Sequence, residues 1–296
     1  MLGDSTVDLD LPAQTEAHYG KQPIPVTAVF GAASHVGLVR ENNEDHYIVV
    51  RRARMRELLL SNIPVGALKS TVEAAYVMTV ADGMGGEVFG ELASRLAVTT
   101  AWEIAPREIA WMQNPGPQSL EQMKEKAEAF TQLMHQAFQE RVRRFPDSAG
   151  MGTTLTIAYI VGQEVFIAHA GDSRAYLVRG AEISQLTKDH TLAEAYASAG
   201  YSREDVTCVK NILTNFLSDA KEVRLDVDHV LLEDGDSLLL CSDGLSDLVP
   251  KESIAAAINA SATPQAACDA LITLALARGG KDNITAVIGQ FRFPAA

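Results

Sequence analysis

Apolar residues fall at helical spacing over two long stretches, which predicts one helix from about Glu87 to Trp111 and another opening at Ser119. In the second, Leu120, Met123, Ala127, Phe130, Met134, Phe138 and Val142 share one face, and this Met and Phe stripe reads as a face packed into the core. Ser119 and Gln122 form a capping box that satisfies free N–H groups of the first turn. Pro115, Gly116 and Pro117 break the chain between the two, which predicts an antiparallel helical hairpin. A third helix is marked by Thr263 as N-cap, Pro264 at its first position and Gly279 past its end.

Between these helices, β-branched and aromatic residues predict strands over Thr153–Val161, Glu164–Ala170 and Arg174–Arg179, punctuated by Gly162 and Gly171-Asp172. Asp236–Cys241 and Ile284–Phe293 are further strands. The short connections favour antiparallel hairpins over parallel crossovers. Separate blocks of strands and helix pairs suggest antiparallel sheets covered by helices. Residues 1–24 lack periodicity and read as a loose N-terminal extension, leaving 25–296 as a single domain.

Charge narrows the partners. With 38 acidic and 25 basic side chains in 296 residues, the chain carries a formal −13, which argues against nucleic acid and against an anionic membrane surface. No apolar run approaches the roughly 18 residues of a membrane span. The first residues have neither the basic nor the apolar region of a secretory signal, so a soluble cytoplasmic protein is expected. Cys208, Cys241 and Cys268 are odd in number and widely spaced, which fits reduced thiols.

The acidic residues carry the chemistry. Five short segments each place an Asp at the end of a strand-like run: Asn43-Glu44-Asp45, Ala81-Asp82-Gly83-Met84-Gly85-Gly86, Ala170-Gly171-Asp172-Ser173-Arg174, Cys241-Ser242-Asp243-Gly244 and Lys281-Asp282-Asn283. Each alone is also a common turn sequence. The glycines lack the Lys-Ser/Thr of a P-loop and the spacing of a dinucleotide fingerprint. Carboxylates that converge repel one another unless a cation sits among them. An all-oxygen set selects Mg²⁺ or Mn²⁺, and no histidine pair has zinc-site spacing.

Taken in order, the segments resemble the metal-dependent protein serine/threonine phosphatases of type 2C, in their bacterial form. The resemblance rests on Gly37-Leu-Val-Arg40-Glu-Asn-Asn-Glu44-Asp45, Val80-Ala-Asp82-Gly83-Met-Gly-Gly86, Met151-Gly-Thr-Thr154, Ala170-Gly-Asp172-Ser-Arg174-Ala-Tyr176, Leu186-Thr-Lys-Asp189-His190, Leu239-Leu-Cys-Ser-Asp243-Gly-Leu245 and Gly280-Lys-Asp282-Asn283. It implies an α+β fold, a four-layer αββα sandwich of two stacked, mainly antiparallel sheets flanked by antiparallel helix pairs. It implies that Asp45, Asp82, the Gly83 carbonyl, Asp243 and Asp282 hold two Mn²⁺ or Mg²⁺ ions. Asp172 with Asp243 resembles a third metal site, and Glu44 matches a residue that holds metal-bound water. Arg40 matches the phosphate-binding arginine; the alternative for it is a surface ion pair with Glu41 or Glu44. In such a site, water bridging two metals about 3.5–4 Å apart attacks phosphorus directly.

Departures from the family pattern carry their own expectations. Met84 stands where many relatives have a proton-donating His, so another group must protonate the leaving alkoxide. His35 replaces an acidic residue and reads as a surface or supporting residue, His169 as a side chain packed at a strand end, and His190 as structural. The stretch 191–221 carries few core signals and matches a mobile flap in relatives, expected to tune substrate access; its Asn215 and Ser218 differ from the Arg and Gly common there. The expected substrates are phosphoserine and phosphothreonine proteins made by a Ser/Thr kinase, and the chain is expected to act as a monomer. Two alternatives stay open: a catalytically silent scaffold, and a partner-switching phosphatase for a phosphorylated anti-sigma antagonist.

Overall fold

The structure is a computed structural model that describes residues 26–54, 60, 73–85, 89–108, 120–202 and 206–293. The predicted helical hairpin turn at Pro115–Pro117, the cap at Ser119, Gly86 and the N-terminal extension lie outside the described residues. In chain order the strands are β1 (Thr27–His35), β2 (Asp45–Arg54), β3 (Glu73–Met84), β4 (Gly152–Thr153), β5 (Leu155–Val161), β6 (Glu164–Ala170), β7 (Arg174–Arg179), β8 (Glu182–Gln185), β9 (Leu217–Ser218), β10 (Asp226–Leu231), β11 (Ser237–Cys241) and β12 (Ile284–Arg292). The helices are α1 (Phe89–Glu108), α2 (Leu120–Arg144), α3 (Leu192–Ser198), α4 (Asp243–Ser246), α5 (Lys251–Ala260) and α6 (Pro264–Ala277).

One sheet runs β1-β12-β11-β7-β8; the other runs β10-β6-β5-β3-β4-β9, with β2 on the free side of β3. The strand pairings are antiparallel throughout. Period-two alternation explains why the layers stack as they do. Leu238 and Leu240 of β11 face Met78, Val80 and Ile160 of the other sheet, forming the inter-sheet core. Their neighbours Leu239 and Cys241 point the other way, into α5 and α6 with Ile254, Leu271 and Ala275. On the outer face of the second sheet, Ala81 and Leu155 pack against Ala93 and Ala97 of α1 and Met134 and Phe138 of α2. The result is the expected αββα sandwich. The α2 stripe is core from Met123 onward, with Met123, Met134 and Phe138 buried, whereas Leu120 at the helix start is exposed.

Boundaries follow local chemistry. The α6 N-cap is Thr263, whose hydroxyl accepts from Ala266 N–H at 3.2 Å. Strands β6 and β7 match their predicted limits. The predicted strand Thr153–Val161 is interrupted at Thr154, where the backbone leaves β4 and hydrogen-bonds Asp82 instead. Asp236 lies before β11 rather than inside it, because its carboxylate turns to Arg179, and β12 ends at Arg292 rather than Phe293. Among the described residues, no helix is long and apolar enough to cross a membrane.

Candidate metal and phosphate site

All five acidic segments reach the same end of the sandwich, though not all as strand ends. Asp172 and Asp243 follow β6 and β11, whereas Asp45 opens β2, Asp82 sits within β3, and Asp282 precedes β12. An antiparallel sheet explains this correction, since each of its edges collects the starts of some strands and the ends of their neighbours. Register then places Asp45 directly opposite Asp82 on β2 and β3.

Close backbone approach holds the segments together. Asn283 is the central tie: its Oδ1 accepts from Glu44 N–H at 2.7 Å, and its Nδ2 donates to the Val36 and Asn42 carbonyls at 2.9 Å. A Cβ on Gly244 would stand 2.0 Å from the Asn283 carbonyl oxygen, so only glycine lets α4 begin there. Likewise, a Cβ on Gly90 would stand 2.4 Å from a carboxylate oxygen of Glu44, which therefore lies against the first turn of α1. Ser242 occupies the N-cap position of α4 but does not cap it, because its hydroxyl donates to Asp45 Oδ2 at 2.7 Å. Asn283 and Ser242 were quoted in the sequence motifs without a role; only their position between the two sheets supplies one.

The carboxylates act on one another. Burial, then Asp45, Asp243, Asp172 and Asp282, hold the Asp82 carboxyl well above the ordinary range. Burial, then Asp172, Asp282, Asp247 and Asp45, do the same to Asp243. Burial raises Asp45 to about 6 against the hydrogen bond from the Ser242 hydroxyl, and burial with Asp189 raises Asp172 to about 6. Asp45 Oδ1 is buried with no hydrogen-bond partner among the described residues. A buried carboxylate oxygen without a donor is costly unless a cation meets it. The donor set is all oxygen, which fits Mg²⁺ or Mn²⁺. Among the described residues no group of three or more His, Cys, Asp or Glu side chains stands, as placed, so that it could hold a metal ion.

Arg40 pairs with Asp282, far from it in the chain. Its Nη2 donates to Asp282 Oδ2 at 2.8 Å, with 55% of the side chain exposed, so the guanidinium stands at the rim. Asp282 also accepts from the Asn283 N–H at 2.9 Å. Gly83 donates its N–H to the Glu44 carbonyl at 3.2 Å. Two carboxylates given no metal role by the sequence press on the site: Asp189, held bidentate by Arg174, and Asp247, paired with Lys210 at 2.7 Å. Asp189 lies within the Leu186–His190 motif, whereas Asp247 stands two residues beyond the Leu239–Leu245 motif.

The histidines take supporting roles. His35 Nδ1 accepts from Gly37 N–H at 2.9 Å and shapes the turn leading to Arg40. His169 is buried, bonded to Thr156 Oγ1 at 2.9 Å and stacked on His190 at 5.0 Å, and burial pushes its pKa down to about 4. His190 Nδ1 accepts from Gly171 N–H at 3.1 Å. The flap region is better anchored than its sequence suggests, since Leu217 and Val206 are buried and Asn215 Nδ2 donates to the Arg224 carbonyl at 2.7 Å.

The fold and the site thus define a sandwich that gathers buried carboxylates and an arginine at one end. The protein phosphatase 2C family model matches residues 66–275, and the chain belongs to that family. It is 33% identical over 268 residues to the serine/threonine protein phosphatase PstP of Mycobacterium tuberculosis, covering 88% of this chain but 44% of that protein. The chain therefore spans less than half the length of this relative. To the serine/threonine phosphatase stp of Listeria innocua it is 34% identical over 255 residues, covering 85% of this chain and 91% of that one. The crystal structure of the PstP catalytic domain with two manganese ions superimposes with a TM-score of 0.68 at 30% identity, covering 90% of this chain and 100% of that one.

Proposed function

We propose that the chain is a metal-dependent protein phosphatase that hydrolyses phosphoserine and phosphothreonine monoesters. The observation that carries this reading is the convergence of Asp45, Asp82, Asp172, Asp243 and Asp282 beside Arg40. Asp45, Asp82, the Gly83 carbonyl, Asp243 and Asp282 would hold two Mn²⁺ or Mg²⁺ ions, and Asp172 with Asp243 would hold a third. When bound, the ions supply Lewis acidity and a water nucleophile at neutral pH. Glu44, set against α1, orients the attacking water. Arg40 leaves Asp282 or shares it, and its planar guanidinium binds two phosphoryl oxygens, offsetting charge as the ester bond breaks. Met84 carries no proton to donate, so a solvent molecule in the acidic cleft protonates the departing alkoxide.

Its substrates are products of a Ser/Thr kinase, and it works as a cytoplasmic monomer. Three unpaired thiols, two of them buried, support a reducing compartment. Hydrolysis of p-nitrophenyl phosphate and a phosphothreonine peptide with Mn²⁺, Mg²⁺ or EDTA tests the reading. Metal-dependent turnover that EDTA abolishes is expected; a folded, metal-loaded protein without turnover would make it a scaffold.

A further inference from the structure

Thr154 and Ser173 are buried hydroxyls to which the reaction above assigns no task, and they lie between the two acidic halves of the site. Asp82 N–H donates to Thr154 Oγ1 at 2.9 Å, while Thr154 N–H returns a bond to the Asp82 carbonyl at 2.8 Å. Thr153 Oγ1 adds a second bond to that carbonyl at 2.8 Å. Thr154 Oγ1 then meets Ser173 Oγ at 2.8 Å, and Ser173 directly follows Asp172. A hydroxyl accepts twice and donates once, so Thr154 can serve Asp82 and Ser173 together.

This bridge crosses the sandwich, since Asp82 belongs to β3 of one sheet and Ser173 leads into β7 of the other. The fit around it is close. A Cβ on Gly171 would stand 2.5 Å from Thr154 Cβ and Cγ2, so the chain before Asp172 passes directly over this threonine. The bridge also opposes a force, because Asp82 and Asp172 repel one another. Without it, that repulsion would spread the two carboxylates apart.

We propose that Thr154 and Ser173 are positioning residues, a buried hydroxyl bridge that anchors the Asp172 segment to the β3 backbone at Asp82 and so sets the affinity of the site that Asp172 shares with Asp243 for its third divalent ion. The proposal rests on the reading of Asp172 as a metal ligand.

Titration of the full chain with Mn²⁺ by calorimetry tests it, alongside the Mn²⁺ concentration that gives half-maximal turnover. Thr154→Val preserves shape and removes the hydroxyl; Thr154→Ser retains the hydroxyl. The weakest Mn²⁺ site is expected to lose about tenfold affinity or more in Thr154→Val and in Ser173→Ala. Thr154→Ser should stay within about twofold of the parent, and the double variant should be no worse than either single one. Unchanged binding in Thr154→Val, or losses that add in the double variant, would overturn the bridge. If Thr154→Val fails to fold, Ser173→Ala decides by the same isotherm. Asp172→Asn separates the two layers of inference. Parent-like Mn²⁺ binding in that variant defeats the ligand reading itself, whereas its loss beside an unaffected Thr154→Val defeats only the bridge.

Discussion

The two ends of the sandwich both carry buried acid, and they treat it in opposite ways. At the far end Asp236 is 1% exposed, yet Arg179 donates to it from Nε at 3.0 Å and Nη2 at 2.7 Å, and Glu233 N–H donates at 2.7 Å. That carboxylate is fully answered from within the chain. At the near end burial, and after it neighbouring carboxylates, raise the pKa values of Asp45, Asp82, Asp172 and Asp243, and one oxygen of Asp45 is unanswered among the described residues. Even there, Asp189 has its bidentate Arg174, so compensation is available where stability needs it. The contrast separates a structural ion pair from a site that waits for a cation.

The largest expected effect comes from removing a charge at the open end. Asp82→Asn or Asp243→Asn should lower turnover on the order of 100-fold or more through lost metal. The same change relieves repulsion, so in EDTA the variant should melt at or above the parent temperature. Assays at saturating Mn²⁺ beside thermal melts in EDTA check both halves. Next, Arg40→Ala should lower kcat/KM by about 10–100-fold, with Arg40→Lys recovering part of it, because an ammonium cannot make the bidentate contact. Steady-state kinetics on a phosphothreonine peptide decide this. At the closed end, Asp236→Asn should cost about 1–3 kcal/mol of stability with kcat unchanged. Urea melts with parallel kinetics measure it, and a variant with normal stability and lost turnover would break the comparison.

The smallest effect is a pH dependence. Asp45 and Asp172, raised to about 6, bind protons more tightly folded than unfolded, so they make the metal-free protein less stable as pH rises from about 4 through 6. His169, lowered to about 4, acts in reverse, and its contribution is lost as pH falls from about 6.5 to 4. Subtracting the melting curve in EDTA from that in Mn²⁺ removes the His169 contribution. The remaining stabilisation by metal should grow with pH across that window.

Much of this was legible residue by residue. The stripe of α2, the Thr263 cap, and the limits of β6 and β7 follow from periodicity and capping that act within a few residues. The acidic segments were legible as a set because their order along the chain is itself a pattern. Arg40 was assigned to the site, but its partner was not, since Glu41 and Glu44 are near in sequence and Asp282 is not.

By itself, then, the sequence determined the two long helices and α6, the strand alternation that allows four layers, and an inventory of carboxylates in a fixed order along the chain. Only the tertiary structure decided which carboxylates face one another, that Asn283 ties Glu44 to the Arg40 loop, and that Ser242 turns from α4 to Asp45. The reason is physical. Local propensity acts through neighbouring backbone groups, whereas these contacts join positions up to 241 residues apart and exist only once the two sheets have packed.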